Sequence, residues 1–320
     1  MQRSMVRSTR RFFAAGMGCL AVAAGLSAAT SGTGTSTPQV VRPKTLAFPA
    51  VPRLTIRKFV AAQQPIREQT TKFGGQPVWL DKPQWPLSRT LGIPMQFICQ
   101  IALDPSIFGE LPGRMAYLFM TDDERIGAKT SEANGGENAV IIQPGGVCRV
   151  QTIERSTGPT LERTETTIIE RSIQPDPGSV SCPQTPPGKE VFECAAMGPN
   201  RVLETVYRRH PCEYAVVLES GVDPQIPYRS GGDGWEVLEQ YYPDPKVMED
   251  ILNALAENKI GGTPEFIQAV EYPDEERTWK LLLQFDGEIE GQTLVNFGTG
   301  TGYAFISSDG REGGLIWQTD

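Results

Sequence analysis

One pattern of polar and glycine residues occurs twice in this chain of 320 residues. A Lys-x-Gly-Gly segment begins at Lys72 and again at Lys259, and in each copy an apolar run follows that ends in glutamine. The glutamine is Gln100, 28 residues after the first lysine, and Gln284, 25 residues after the second. Recurrence in the same order at similar separations is the mark of an internal repeat. The chain is therefore expected to fold around two related units.

Two further elements follow the glutamine in each copy. The first is an aromatic strand with a hydroxyl and an acid behind it, and the second is a short apolar segment that ends in glutamine. These elements are Tyr117–Asp123 and Val140–Gln143 in the first copy, and Tyr303–Asp309 and Leu315–Gln318 in the second. We therefore predict two units, 72–143 and 259–318, separated by an insertion at 144–258.

The composition favours short strands and loops with a few helices. Hydrophobic residues make up 39% of the chain, and 33 Gly and 26 Pro fit a loop-rich globular protein. The clearest helix is predicted over Pro245–Glu257, where Asp244 caps the first turn and Val247 and Leu255 belong to one apolar face. A second, shorter helix is predicted from Thr55. We expect an α+β fold, internally duplicated, with mostly antiparallel sheets.

The first 29 residues resemble an export signal. Four arginines precede an uncharged run from Phe12 to Ala29, as in a charged region followed by an apolar one, and Arg10-Arg11 resembles a twin-arginine pair. A membrane anchor and a misassigned start before a cytoplasmic protein are the alternatives, because the run reaches only the lower limit of a bilayer span. We expect a cleaved signal, a flexible linker at 30–54 and an exported bacterial envelope protein, periplasmic or extracellular, with no stable membrane span.

The charge and the cysteines constrain the partners. A formal charge of −8, with no basic cluster beyond the N-terminus, argues against a nucleic-acid partner. The absence of a Cys-x-x-Cys pair leaves structural zinc unsupported, so we expect no metal and no cofactor. An exported protein can form disulfides among Cys148, Cys182, Cys194 and Cys212, but their spacing does not define the pairing. The oligomeric state is not constrained.

Several segments together resemble the YwqG-like family, a bacterial domain of unknown function. The segments are Lys72–Pro77, Trp85-Pro86, Phe97–Ile101, Lys259–Gln268, Leu281–Asp286 and Gly302–Phe305. The resemblance covers residues 55–320 and implies an α+β fold with internal duplication. It implies no catalytic residues. Because some relatives are encoded near toxin–immunity systems, it implies a protein-binding role.

Candidate catalytic motifs are weak. The chain has one histidine, His210, and Cys212 is the only nucleophile near it in the sequence, so a structural or surface role is favoured over catalysis. Gly298–Gly302 leads into a strand rather than a helix, which favours a turn over a phosphate-binding loop. The acidic cluster Asp122–Glu124 lacks the alternating register of a calcium loop and favours a solvated turn.

The candidate binding residues come mainly from the repeated pattern. If the two units pack about a pseudo-twofold axis, the repeated lysines and glutamines converge on a shared cleft; the alternative is that the glutamines satisfy buried backbone groups. The two tryptophans provide an aromatic surface or, alternatively, cover a core. The full set is Lys72, Trp79, Trp85, Gln100, Lys259, Gln284 and Asp286.

We interpret the chain as a non-enzymatic module that binds a protein or peptide through a sheet edge or the cleft between the units. One alternative is a hydrolase-like or sugar-modifying enzyme that uses Lys259, Gln284 and Asp286. A structural envelope protein is the third interpretation.

Overall fold

Two long antiparallel strands, β1 (Ala50–Ala61) and β11 (Glu213–Pro224), form the centre of the molecule. The computed structural model describes residues 48–172, 190–196, 201–275 and 278–319. In chain order the remaining strands are β2 (Lys72–Gly74), β3 (Trp85–Pro86), β4 (Gln96–Ala102), β5 (Met115–Met120), β6 (Asn138–Gln143), β7 (Thr152–Ile153), β8 (Glu162–Ser172), β9 (Glu190–Ala196), β10 (Arg201–Pro211), β12 (Lys259–Gly261), β13 (Trp279–Phe285), β14 (Glu288–Ile289), β15 (Gln292–Thr293), β16 (Thr301–Ser307) and β17 (Gly313–Gln318). The helices are α1 (Pro105–Phe108), α2 (Gly234–Tyr241) and α3 (Pro245–Leu255), with a 3₁₀ turn at Gly127–Ser131.

Ten strands form one antiparallel sheet in the order β17-β16-β13-β12-β1-β11-β2-β4-β5-β6. The sheet curls until its two outer strands lie side by side and is nearly closed. At this seam Asn138 Nδ2 donates to Leu315 O at 2.9 Å, and Val147 N donates to Arg311 O at 2.8 Å. The largest apolar cluster packs inside the curl and includes Phe73, Phe285 and side chains from both ends of the sheet.

Two smaller apolar clusters cover the outer face of the sheet, one at each end. Trp85, Phe97 and Phe119 pack on the outer side of β4, β5 and β6. Phe266, Tyr303 and Phe305 pack in the corresponding place on β13 and β16. Each set of strands is therefore buried on both faces, which agrees with their continuous apolar sequences.

A three-stranded sheet, in the order β8-β10-β9, is separate from the main sheet in hydrogen bonding. We call this sheet the arm. Its strands β8 and β10 pair antiparallel from Glu162↔Pro211 to Ser172↔Arg201, and most of the described β8 side chains are exposed or half-buried. The sequence prediction of a surface hairpin strand at 164–173 agrees with β8 through residue 172. The loop predicted at 176–189 lies outside the described residues.

The predicted α+β class is wrong, because the structure is mostly β: 42% strand and 12% helix, with three α-helices among the described residues. The helix predicted from Thr55 is part of β1. Ile56, Phe59 and Val60 fit a helical spacing, but β1 receives hydrogen-bonding partners from β11 on one side and β12 on the other. Two strand neighbours and β-branched side chains outweigh that spacing. Residues 50–54, predicted to end the linker, also belong to β1.

The helix predicted near the end of the insertion is present as α3. Asp244 caps it by accepting hydrogen bonds from Lys246 N and Val247 N, as expected. Its buried residues are Met248 and Leu255, whereas Val247, assigned to the apolar face, is 44% exposed. The predicted insertion 144–258 also supplies β11, so this segment completes the centre of the sheet rather than decorating it.

The described cysteine side chains carry no disulfide. Cys99, Cys148 and Cys212 are free thiols, while Cys182 lies outside the described residues. Within the described part of the chain, no helix combines the length and apolar character needed to cross a bilayer.

Candidate functional site

The two repeated lysines are buried at matching places in the sheet. Lys72 on β2 pairs with Gln100 on β4, and Lys259 on β12 pairs with Gln284 on β13. The exposed fractions of the lysines are 1% and 0%. A buried ammonium must find counter-charges or carbonyl acceptors inside the protein.

Lys72 uses three acceptors. Its Nζ donates to Ile66 O at 2.9 Å, to Gln76 O at 2.7 Å and to Glu213 Oε1 at 2.5 Å. An ammonium has three protons, so this set occupies all of them. Lys72 therefore ties the loop after β1, the loop after β2 and strand β11 together.

Lys259 is held by a carboxylate that is itself buried. Its Nζ donates to Asp223 Oδ2 at 2.8 Å and to Thr263 O at 2.5 Å, and Arg53 Nε lies 3.0 Å from the other Asp223 oxygen. Burial lowers the pKa of Lys259 to about 8, and the Asp223 charge opposes that shift. The second lysine thus belongs to a buried network of two cations around one carboxylate.

The repeated glutamines hold backbone groups of the neighbouring loops. Gln100 Oε1 accepts from Val78 N, and its Nε2 donates to Thr70 O, both at 2.8 Å. Gln284 Oε1 accepts from Glu265 N at 2.8 Å, and its Nε2 donates to Leu255 O at 2.7 Å and to Glu257 O at 3.1 Å. Each amide is buried, and its oxygen and nitrogen both have backbone partners.

Two more residue pairs hold the same loops as the lysines and glutamines do, and these pairs were not among the predicted site residues. Tyr117 OH donates to Val78 O, and Tyr303 OH donates to Glu265 O. Gln143 and Gln318 likewise accept from loop N–H groups and donate to loop carbonyls. The sequence repeat contains all four residues: the two tyrosines open one pair of matched segments, and the two glutamines end the other pair. We call Lys72, Gln100, Tyr117 and Gln143 the first frame, and Lys259, Gln284, Tyr303 and Gln318 the second frame.

The frames also bind their loops in matching register. The loop residues held by the first frame recur as partners of the second frame 187 positions later: Glu68, Thr70, Gln76, Val78, Asp81 and Lys82 match Leu255, Glu257, Thr263, Glu265, Gln268 and Ala269. The glycines after each lysine match as well. Gly74 and Gly261 have φ of 66° and 70°, and Gly75 and Gly262 have φ of 65° and 78°, values that favour glycine.

The remaining predicted residues lie apart from one another. Trp85 is fully buried, and its ring centroid is 6.4 Å from that of half-buried Trp79, whose Nε1 donates to Ser156 O. Asp286 accepts from Asn258 Nδ2 and Glu288 N. None of the seven predicted residues lines either of the two surface concavities described below, and the structure does not bring them together in one cleft.

A surface concavity of about 600 Å³ lies at the base of the arm. We call it the arm cleft. Its walls are the segment after β1 (61–65), the starts of β8 and β11, the end of β10, and Gly75. A second concavity beside Arg149 at the seam measures about 10 Å³, which is no larger than a single water site.

The two carboxylates that line the arm cleft, Glu213 and Glu165, differ in their partners. Glu213 accepts from Lys72 Nζ and from Ile66 N, and Glu165 lies 3.4 Å from His210 Nε2. The guanidinium of Arg163, which also lines the cleft, has no hydrogen-bond or ion-pair partner among the described residues. Arg163 is therefore a cation of the cleft wall with no direct partner among the described residues.

His210 and Cys212 both line the cleft, but their contacts differ from those of a nucleophile and base. The Cys212 thiol donates to Leu161 O, and burial raises its pKa to about 11, so the thiolate is scarce at neutral pH. His210 contacts Glu165 instead of the thiol. No group of three or more His, Cys, Asp or Glu in the described chain is placed to hold a metal ion.

The family model described as "Domain of unknown function (DUF1963)" matches residues 71–310, which include the first frame, the arm and every residue of the second frame except Gln318. No curated protein matches the chain.

Proposed function

The chain belongs to the DUF1963 family, and we propose that it is a non-enzymatic module that binds a protein or peptide in the arm cleft. The observation that carries the proposal is the cleft itself, with strand ends and an unpaired Arg163 in its walls. A cleft of this volume lies within the range of known ligand sites, and one bounded by strands suits an extended chain.

The buried frames support this function by making the cleft rigid. Glu213 forms part of the cleft wall and is fixed by Lys72, which in turn holds the loops on either side. A site held in one conformation before binding loses less conformational entropy when the ligand arrives. In this proposal the repeated lysine is a positioning residue of the binding site.

We also infer that the two frames arose by internal duplication, because their loop partners recur at a constant offset of 187 positions. The likeness to YwqG-like proteins and an exported location in a bacterial envelope belong to the same proposal. The motif that supports export, Arg10-Arg11 and the run to Ala29, lies outside the described residues.

The test is selection of a phage-displayed random peptide library on the full chain, followed by affinity measurement on variants. Ala62→Trp should fill the cleft and weaken the selected peptides at least about tenfold, because 1.4 kcal/mol of lost contact is a factor of ten. Ser220→Trp, on the exposed part of β11 outside the cleft, is the matched control and should bind as the wild type does. Failure of the library to enrich, or equal binding by both variants, contradicts the proposal.

A further inference from the structure

We infer that the ligand of the arm cleft is an extended peptide that pairs antiparallel with β8 and places its C-terminal carboxylate at Arg163. This inference rests on the proposed function and specifies its ligand. Three features of the described residues support it: a free strand edge, a stop at one end of that edge, and an unpaired cation beside the stop.

The free edge is the side of β8 that faces away from β10. Thr164 N donates to the side-chain Oε1 of Gln292 at 3.0 Å, so the N–H of Thr164 points away from the arm. Direction alternates along a strand, so the N–H groups of Thr166 and Ile168 point the same way. Neither has a partner on that side among the described residues. Such groups are a template for an added strand.

Other edges in the described chain are less suitable. The outer strands of the main sheet lie against each other at the seam, where Asn138 and Val147 bond across it. Strand β9 is the second edge of the arm and lies across β10 from β8, whereas β8 contributes Arg163 and Glu165 to the cleft wall. Strand β8 is the edge that adjoins the arm cleft.

Gln292 determines where an added strand must end. It sits on the hairpin formed by β14 and β15 and occupies the edge position at Thr164. A peptide along Ile168 and Thr166 therefore stops there. If the peptide runs antiparallel to β8, as every neighbouring strand pair in the main sheet and the arm does, its C-terminus is the end that reaches Thr164.

The charge at that end favours a carboxylate. Arg163 precedes Thr164 and lines the cleft without a partner for its guanidinium among the described residues, whereas the carboxylate of Glu213 is held by Lys72. Guanidinium binds carboxylate through two parallel hydrogen bonds, a geometry that a neutral amide terminus cannot reproduce. We therefore expect Arg163 to recognise the free C-terminal carboxylate of the bound peptide.

The experiment uses degenerate octapeptides in three pools: free acids, C-terminal amides, and free acids N-methylated at alternate amides. The full chain is immobilised, and retained peptides are quantified by mass spectrometry. The wild type should retain the free acids at least tenfold better than the amides, and N-methylation should abolish retention. Arg163→Gln should remove the preference for the free acid. Arg209→Gln is the matched control, because Arg209 pairs with Thr164 on the opposite face of the arm and is exposed.

Ile168→Pro tests the edge directly. Proline removes the outward N–H but leaves the bonds between β8 and β10, so retention should fall at least tenfold while the urea midpoint changes little. Ile168→Ala, which keeps the N–H, should retain peptides. If Ile168→Pro also unfolds the chain, the N-methylated pool still tests strand pairing on the wild type.

The outcomes separate this inference from the proposed function. Peptides that are lost with Ala62→Trp but retained by Ile168→Pro, or acids and amides retained equally, overturn the inference and leave the proposed function standing. Absence of retention by the wild type overturns both. A dimer that dissociates in Ile168→Pro, seen by light scattering, identifies a second copy as the occupant and overturns the peptide ligand.

Discussion

The two frames are built alike, but the connections that lead into them differ. Strand β1 reaches β2 through the short segment 62–71, whereas β11 reaches β12 through 225–258, which contains α2 and α3. In the long connection, Leu238, Met248 and Leu255 form an apolar cluster of their own. The short connection has no helix, and the arm cleft opens beside it. Each frame thus fixes where its connection is attached. The length of the connection determines whether the adjoining surface is covered or left open.

The ion pairs of the two frames also differ in exposure: the carboxylate of the first frame reaches solvent, and that of the second is buried. Glu213 borders the cleft and its side chain is 12% exposed, while Asp223 is 2% exposed and shares two cations. A carboxylate that loses its lysine can hydrate at the first site but not at the second. Substitutions at matching positions measure this difference.

The largest effect is expected for Lys259→Met. It leaves Asp223 buried with only Arg53 as counter-charge, and breaking a buried pair from one side costs about 3–5 kcal/mol. Lys72→Met should cost less because Glu213 reaches solvent. Urea unfolding measures both, and Lys58→Met, on an exposed part of β1, should be within about 0.5 kcal/mol of the wild type. Equal losses for the two buried lysines would contradict the proposed contrast.

The next effect is expected for the two glutamines, which should respond equally. Gln100→Leu and Gln284→Leu keep the volume but leave part-buried or buried N–H and C=O groups of the loops unpaired, at about 2–3 kcal/mol each. The matched control is Gln63→Leu in the cleft, where the exposed amide has no partner among the described residues. A difference above about 1 kcal/mol between the first two variants would show that the frames are not equivalent.

A smaller effect is expected when a frame hydroxyl is removed. Tyr117→Phe and Tyr303→Phe each lose a hydrogen bond to a loop carbonyl, worth about 1 kcal/mol. Thermal or urea unfolding of the two variants should give similar losses. Tyr241→Phe on α2, outside both frames, is the control. A loss confined to one of the two frame variants would limit the role of the hydroxyl to that half.

The smallest effect concerns pH. Burial lowers the pKa of Lys259 to about 8 from 10.5, so above pH 8 the unfolded state binds more protons than the folded state at this residue. Stability contributed by Lys259 therefore rises with pH in this window. The stability of the wild type relative to Lys259→Met should increase between pH 7 and 8.5 by under about 1 kcal/mol. The same measurement is made with Lys72→Met for comparison. If the stability difference between the wild type and Lys259→Met stays constant or falls as the pH rises, the lowered pKa of Lys259 is contradicted.

The repeated residues could be predicted from the sequence, but most of their surroundings could not. Lys72 and Lys259 were found because the repeat is local in sequence, and α3 was found because its cap and apolar spacing are local too. Strand β1 was read as a helix because its two neighbours, β11 and β12, lie far along the chain. The arm cleft was missed for the same reason: Arg163, Glu213 and Gly75 meet only after β8, β11 and β2 have been placed.

The seam has a consequence for the order in which the protein can be completed during translation. Strand β6 ends at Gln143, but its neighbour across the seam, β17, ends at Gln318. While the ribosome adds the intervening residues, the outer edge of β6 has no strand to lie against. The contact from Asn138 to Leu315 can form only after β17 has been synthesised. A nascent chain that stalls before β17 exposes this edge to neighbouring chains, and the emergence of β17 is the step that ends the exposure.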